Sequence, residues 1–489
     1  MQTIPEEQVL RRMRAENVWW SPPHQIADEY RQWKPRAYLK LFCPLVRDTS
    51  VRRAVLLMGP RRVGKTVLVH HTIQKLLDEG LRPTSLCYLS VDHPIYNGLG
   101  LEQLLEYFRR ASGAQSPEPC FVFFDEIQYL RNWEVHLKTL VDTHPVDKFV
   151  ACGSAAAALR LKSAESGAGR FTDFLLPPLT FHDYLDLLDI EKDLIELQPA
   201  GKDHFRPRAK DVHALNESFI RYLNFGGYPE VIFSPRIQSD PGRFIKSDII
   251  DKVLLRDLPS LYGIQDIQEL NYLFTTLAFN TANEISLEEL SKNSGVAKNT
   301  LKRYIEYLEA AFLLKIVHRI DRTAKRFQRA NFFKVYLTNP SLRSALFSPV
   351  DPDDDLAGKV VETGIFAQWF HLDDPRYYAR WADGEVDIVG LRPDKQKASW
   401  AVEVKWSDRA VAQPNELDSL FQFCDANGLK EVLVTTRSRE ATEMIRNVKV
   451  TFLPASLYCF VVGYNLVAAK QRQVDPKSAP RLTIRSAAT

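Results

Sequence analysis

Strong net charge is missing from this chain: 64 Lys and Arg against 61 Asp and Glu leave a formal balance of +3 over 489 residues. A chain-wide polycation that coats nucleic acid is thereby excluded, and any basic surface must be local. Cysteine is scarce and scattered. The six (Cys43, Cys87, Cys120, Cys152, Cys424 and Cys459) form no C-x-x-C pair, and several lie inside apolar runs, the pattern of buried thiols in a reducing compartment. Long apolar runs are absent too. The opening MQTIPEEQVLRRMRAE has no signal-peptide core, and the stretch Tyr458 to Lys470 is too short and interrupted to span a bilayer, so a cytoplasmic protein with no membrane contact is expected. There is no repeat and no low-complexity tract.

What is present is apolar material for several cores, 45% hydrophobic and 11% aromatic, in a length that suits two to four domains of roughly 100 to 200 residues each. Strand-like runs at Ala54 to Met58, Ser85 to Val91, Phe121 to Phe124 and Phe149 to Cys152 alternate with helical stretches such as Val67 to Glu79 and Leu101 to Ala111. This alternation predicts an α/β domain with a covered parallel sheet. From about Lys210 to Arg322 the pattern turns helical, and the acidic, proline-bearing Ser348 to Asp355 reads as a loop or linker. The expected division is a helical lead-in over 1–50, a nucleotide domain over 51–205, a helical region over 206–347 and a last α/β domain over 348–489.

Directly after the first strand comes Gly59-Pro60-Arg61-Arg62-Val63-Gly64-Lys65-Thr66, then Val67 and a helical run. Strand, G-x-x-x-x-G-K-T and helix make the pattern of a P-loop. Its glycines let backbone N–H groups reach a phosphate, Lys65 suits the β and γ oxygens of ATP, and Thr66 suits Mg²⁺. The acidic half of such a site is offered by Cys120-Phe-Val-Phe-Phe-Asp125-Glu126: Asp125 for the metal, Glu126 to polarise the attacking water. Ser154, after the strand that ends at Cys152, is either a polar sensor of the γ-phosphate or a turn serine. Arg170, in GAGRF, is either a surface arginine or an arginine finger, acting in cis or from a neighbouring subunit.

These residues, with NVWW at Asn17 to Trp20, Gly226-Gly-Tyr-Pro-Glu230 and Lys334-Val-Tyr-Leu, resemble a family of bacterial and archaeal AAA-type ATPases. The resemblance implies a P-loop ATPase domain, a helical and winged-helix-like middle, and a C-terminal domain whose core looks like a PD-(D/E)xK nuclease. It implies ATP binding and hydrolysis at Gly59, Lys65, Thr66, Asp125 and Glu126, and no particular substrate. No second sensor arginine is recognisable, and the P-loop carries an arginine pair.

In the middle, Ile285 to Leu308 reads as helix, glycine turn, helix, with Leu287, Leu290, Val296, Leu301, Ile305 and Leu308 facing inward. Ten Lys or Arg against five acids between Ile285 and Ala330 give a local balance of +5. Lys298, Asn299, Lys302 and Arg303 would stand on the exposed side of the second helix, where such modules meet phosphates and base edges of DNA. Winged helices in ATPases also serve simply as packing modules.

Further on, Gly384-Glu-Val-Asp387-Ile-Val and Trp400-Ala-Val-Glu403-Val-Lys405 are two alternating strands joined by a hairpin-like turn, preceded by a helix bearing Glu362. The period of two puts Glu403 and Lys405 on one face. Glu362, Asp387 and Glu403 would hold Mg²⁺ against a phosphodiester, and Lys405 would orient or help deprotonate the attacking water. Alternating charge on a solvated strand would look the same, and such cores also persist as binding modules. The expected function is an ATPase coupled to a DNA-binding or DNA-cleaving domain, with self-assembly through the ATPase domain. The alternative is a nucleotide-dependent switch acting on a protein partner. A metabolic P-loop kinase is disfavoured, because the Asp-Glu pair sits one strand away from the P-loop strand.

Overall fold

The computed structural model describes residues 5–113, 119–153, 169–201, 204–326, 331–370, 375–392, 397–474 and 480–484. The chain separates into two compact units, Met1–Pro177 and Pro178–Thr489.

The first unit is built on five parallel strands, β1 (Ala54–Met58), β2 (Leu86–Ser90), β3 (Phe121–Asp125), β4 (Lys148–Gly153) and β5 (Phe171–Leu175), in the order β2-β3-β4-β1-β5. β1, β3 and β4 are buried along their whole length, which is why they read as unbroken apolar runs: a parallel sheet is covered on both faces. Helices Lys65–Asp78, Leu101–Ser112 and Trp133–Thr143 connect them. The edge strand β2 is not left bare. Asn17 accepts from Tyr88 N–H at 2.6 Å and donates to Tyr88 C=O at 2.9 Å, while the indoles of Trp19 and Trp20 donate to Leu86 C=O at 3.1 and 2.8 Å. The NVWW phrase thus supplies side chains where a further strand would supply backbone, blunting an edge that could otherwise pair with another chain. The lead-in expected as a separate piece is therefore part of this unit.

The second unit holds a short sheet and a long one. β6 (Ile195–Gly201), β7 (His204–Ala209) and β17 (Arg481–Leu482) form the short one. The long one joins β8 (Glu284–Ser286), β9 (Leu314–Ile320), β10 (Phe332–Leu337), β11 (Tyr377–Trp381), β12 (Gly384–Leu391), β13 (Ala398–Glu403), β14 (Glu431–Thr436), β15 (Ala441–Ile445) and β16 (Val448–Pro454), in the order β15-β16-β14-β13-β12-β11-β9-β10-β8. Between β8 and β9 lie helices Leu287–Ser294 and Lys298–Ala310, turned by Gly295 at φ 73°. Only a residue without a Cβ takes that backbone cheaply.

The expected boundaries after 205 and 347 have no counterpart at this level. β9 pairs in parallel with β11, Tyr377 opposite His318, so the middle and last regions share one sheet. Ser348 to Asp355 is a loop, one of the two expected readings, and it is tied down: Asn224 bonds Val350 through both its C=O, at 2.9 Å, and its N–H, at 2.8 Å, and Trp406 donates to Pro352 C=O at 2.8 Å. No helix among the described residues is long and apolar enough to cross a membrane.

Candidate functional site

In the first unit β1 delivers the loop. A Cβ on Gly59 would stand 2.3 Å from Leu176 C=O, so nothing larger than hydrogen fits where the chain leaves the sheet. Arg62 and Gly64 take left-handed backbone, φ 64° and 91°, which wraps the loop before the helix starts at Lys65. The buried guanidinium of Arg36 donates to Val63 C=O and Pro177 C=O, both at 3.0 Å, bracing the loop from outside the motif. Sequence reading missed Arg36, because no spacing links it to the P-loop that begins 23 residues later at Gly59.

The Lys65 ammonium is buried and donates to Gly59 C=O at 3.0 Å and Pro60 C=O at 2.8 Å. Burial lowers its pKa, against the pull of Glu126 and Asp125. Those carbonyls satisfy the ammonium only weakly, and phosphate oxygens would bind it better. Asp125, at the end of β3, is a hub. Its Oδ2 accepts from Thr66 O–H at 2.7 Å and Tyr88 O–H at 2.9 Å; its Oδ1 accepts from Cys152 S–H at 2.8 Å and Glu126 N–H at 2.9 Å. A threonine hydroxyl and a carboxylate in contact are hard oxygen donors suited to Mg²⁺, so the residue set fits magnesium and nucleotide phosphates. Glu126 sits beside it at φ 52°, an uncommon backbone for a non-glycine residue, with burial pushing its carboxyl pKa up and Gln128 donating to it.

Two other expectations meet different ends. Ser154 lies outside the described residues. Arg170 is placed at the wrong end of the sheet to act in cis. Ala54 N–H bonds Arg170 C=O where β5 begins, whereas the P-loop follows Met58, opposite Leu175 at the far end of the strand pair. At about 3.3 Å per residue, four residues of strand separate the two by about 13 Å, and the Arg170 guanidinium instead pairs with Asp142.

In the second unit the sheet gathers the expected polar set. Asp387 lies on β12, Glu403 ends β13, and Val404 N–H donates to Asp387 Oδ2 at 2.9 Å, locking the two strands across their register. Lys405 Nζ donates to Glu403 Oε1 at 2.8 Å, and Thr435 on β14 bonds both the N–H and the C=O of Lys405. Glu362 arrives from the helix Ala357–Ala367. Burial and then the charge of Asp387 push the Glu403 carboxyl up to about 8; burial, opposed by Lys334, pushes Glu362 to about 7.

The unexpected member is Lys334 on β10. Its ammonium is 3% exposed and lies 2.6 Å from Glu385, 3.0 Å from Glu362 and 3.4 Å from Asp387. Burial opposes its charge, yet Glu362, Tyr336, Asp387 and Glu385 outweigh burial and hold its pKa well above the ordinary value. Tyr336, two residues on and so on the same strand face, donates to Glu362 as well. This corrects the expected metal set. Among the described residues no three His, Cys, Asp or Glu side chains are placed to share a metal ion, because an ammonium stands between Glu362 and Asp387. The signal that could have found it is the alternation Lys334-Val-Tyr336.

Lys298, Asn299, Lys302 and Arg303 are all exposed on the helix Lys298–Ala310, opposite the buried Leu301, Ile305 and Leu308. Lys298 pairs with Glu288 at 3.5 Å; the face is otherwise open to solvent.

Residues 51–185 match the model of an AAA domain, and residues 216–354 that of a domain of unknown function. An uncharacterized protein of Haemophilus influenzae is 21% identical over 403 residues, 81% of this chain and 92% of its own. An uncharacterized protein of Methanocaldococcus jannaschii is 23% identical over 354 residues, 70% of this chain and 73% of its own. Among solved structures, the Aeropyrum pernix ORC1 protein in complex with DNA aligns at TM-score 0.30 and 14% identity, covering 68% of this chain and 95% of that one. AMPPCP-bound DnaA from Aquifex aeolicus aligns at TM-score 0.27 and 15% identity, covering 59% and 92%. The P-loop and the Asp125-Glu126 pair thus lie within the stretch that matches an AAA domain.

Proposed function

We propose that this chain hydrolyses ATP with magnesium and uses its nucleotide state to control a nucleic-acid-binding or nucleic-acid-cleaving second unit. The carrying observation is the contact of Thr66 with Asp125 at 2.7 Å beside Lys65 and Glu126. In this reading the loop Gly59 to Thr66, with Val67 at the helix start, cradles the phosphates, and Lys65 exchanges its carbonyl partners for the β and γ oxygens. Magnesium, held by Thr66 and Asp125, would neutralise phosphate charge. Glu126, its proton affinity raised by burial, orients and deprotonates the attacking water. Ser154 would sense the γ-phosphate. Arg170 is left to act only on a neighbouring copy's nucleotide, which makes a homo-oligomer part of the proposal.

In the second unit the exposed Lys298, Asn299, Lys302 and Arg303 suit DNA in the manner of a winged helix, since β8, the two helices and the β9–β10 hairpin follow one another in that arrangement. Asp387, Glu403 and Lys405 suit a PD-(D/E)xK-like site. A second reading, a switch that recruits a protein partner and cuts nothing, is favoured by one observation: Lys334 already neutralises carboxylates that cleavage would give to a metal.

ATP turnover of the purified protein with Mg²⁺, with and without DNA, separates these. Lys65→Ala is expected to lose nucleotide binding, and Glu126→Gln to keep binding while turnover falls at least about a hundredfold. Wild-type turnover retained by Lys65→Ala would overturn the ATP site. Turnover raised by DNA supports the first reading; turnover indifferent to DNA, with DNA and RNA left whole, supports the second.

A further inference from the structure

We propose that Lys334 is the resident cation of the carboxylate site and limits that site to a single divalent metal ion, taken up between Asp387 and Glu403. The inference rests on the reading of this site as nuclease-like. Two observations carry it. The first is occupancy: Lys334 Nζ lies within 3.4 Å of Glu362, Glu385 and Asp387 and is 3% exposed, so the space among those three carboxylates already holds a positive charge. The second is a vacancy in hydrogen bonding on the other side. Glu403 is 8% exposed, its Oε1 accepts from Lys405, and its Oε2 is buried with no hydrogen-bond partner. A buried carboxylate oxygen without a donor is costly unless something cationic meets it.

Charge points the same way. With all three carboxyls deprotonated, Glu362, Asp387 and Glu403 against Lys334 and Lys405 leave a balance of −1. The outer shell adds nothing, because Glu385 and Glu284 are matched by Arg380 and Arg319. One divalent ion takes the site to +1, which a phosphodiester neutralises; a second would leave it at +3 with no ligand to match. Lys334 is thus a positioning residue and counter-ion: it touches Asp387 through Oδ1 only, and Asp387 together with Glu403, which pairs with Lys405 and not with Lys334, is left for metal.

The test is Mn²⁺ binding to the full chain without nucleotide, by equilibrium dialysis and electron paramagnetic resonance, with Glu403→Gln identifying the ion that belongs to this site. Wild type is expected to bind one Glu403-dependent ion with no manganese–manganese coupling. Lys334→Met is expected to bind a second ion there, or the same ion at least about tenfold more tightly, since a neighbouring positive charge is gone. Lys334→Arg, which keeps the charge, should retain a single ion. Two coupled Glu403-dependent ions in wild type would overturn the inference without any variant, which matters if Lys334→Met fails to fold. Unchanged stoichiometry and affinity in folded Lys334→Met would overturn it while leaving the nuclease-like reading intact. No Glu403-dependent ion in wild type, but one in Lys334→Met, would overturn the single-ion inference and remove the metal-dependent reading of the native site. No such ion in either protein would overturn both.

Discussion

Tyr88→Phe tests whether Asp125 is held in place by the fold before any nucleotide arrives. The hydroxyl of Tyr88 donates to Asp125 Oδ2 at 2.9 Å from a ring that is 7% exposed. The ring itself packs on His70, centroids 4.6 Å apart, and phenylalanine keeps that contact, so the substitution removes little but the hydrogen bond. A hydrogen bond to a charged acceptor contributes about 1.5 to 3 kcal/mol. Because Oδ2 still accepts from Thr66 at 2.7 Å, the lower end applies, about 1.5 kcal/mol. For a unit of this size, Met1–Pro177, each kcal/mol moves Tm by about 2 to 4 °C, so a fall of about 3 to 6 °C is expected by calorimetry. The same substitution in an Asp125→Asn background should cost under about 0.5 kcal/mol, because the charged acceptor is gone. Stabilisation by Mg-ATP should also shrink in the single variant, since Asp125 then has one fewer fixed donor aiming it. Equal Tm for Tyr88→Phe and wild type, or an undiminished loss in the Asp125→Asn background, would refute the reasoning.

Three other outcomes follow from the same structure. Gly59→Ala should fold poorly or lose ATP binding, because its Cβ would press 2.3 Å from Leu176 backbone; nucleotide titration at wild-type affinity would contradict this. His70, stacked 3.8 Å from Tyr30 with both ring nitrogens lacking hydrogen-bond partners, is held neutral by burial, its pKa down to about 3. The unfolded chain therefore binds the extra proton between about pH 6.5 and 3, so stability present above pH 6.5 is lost as pH falls through that window; His70→Phe should flatten the acid side of a Tm-versus-pH curve, and a curve that still falls in parallel with wild type would refute it. Reversing Lys298, Lys302 and Arg303 to Glu together should weaken DNA binding at least about tenfold and reduce its salt dependence by two to three charges' worth, whereas unchanged binding would move the DNA contact elsewhere.

The parts legible in the sequence are those whose physics is local. β1 runs over Ala54–Met58 as expected, and β3 and β4 extend their expected spans by a residue or two, because a strand covered on both faces must be apolar throughout. The P-loop and the Asp125-Glu126 pair were legible because phosphate chemistry fixes residue types at fixed offsets. What stayed hidden depends on topology. Arg170 reads as a finger candidate until strand register puts it at the opposite end of β5 from the loop. Ser348 to Asp355 reads as a loop or linker, and the pattern cannot show that Asn224, 126 residues from Val350, ties it down. Lys334 was visible only as an alternating strand residue, since its partners come from Glu362, Glu385 and Asp387, on a helix and another strand.

That placement bears on how the second unit could work. β10, which carries Lys334 and Tyr336, lies between β9 and β8, directly after the basic helix Lys298–Ala310 and β9 in the chain. One strand therefore serves two masters: its backbone completes the three-stranded end of the sheet beside the helices Leu287–Ser294 and Lys298–Ala310, and its side chains neutralise Glu362 and reach Asp387. A shift of β10 along its axis by one residue would turn Lys334 to the opposite face, leaving Glu362 and Asp387 without their ammonium. A sheet register is all-or-none in this respect, so the countering of Glu362 and Asp387 by Lys334 cannot be tuned by small displacements of β10.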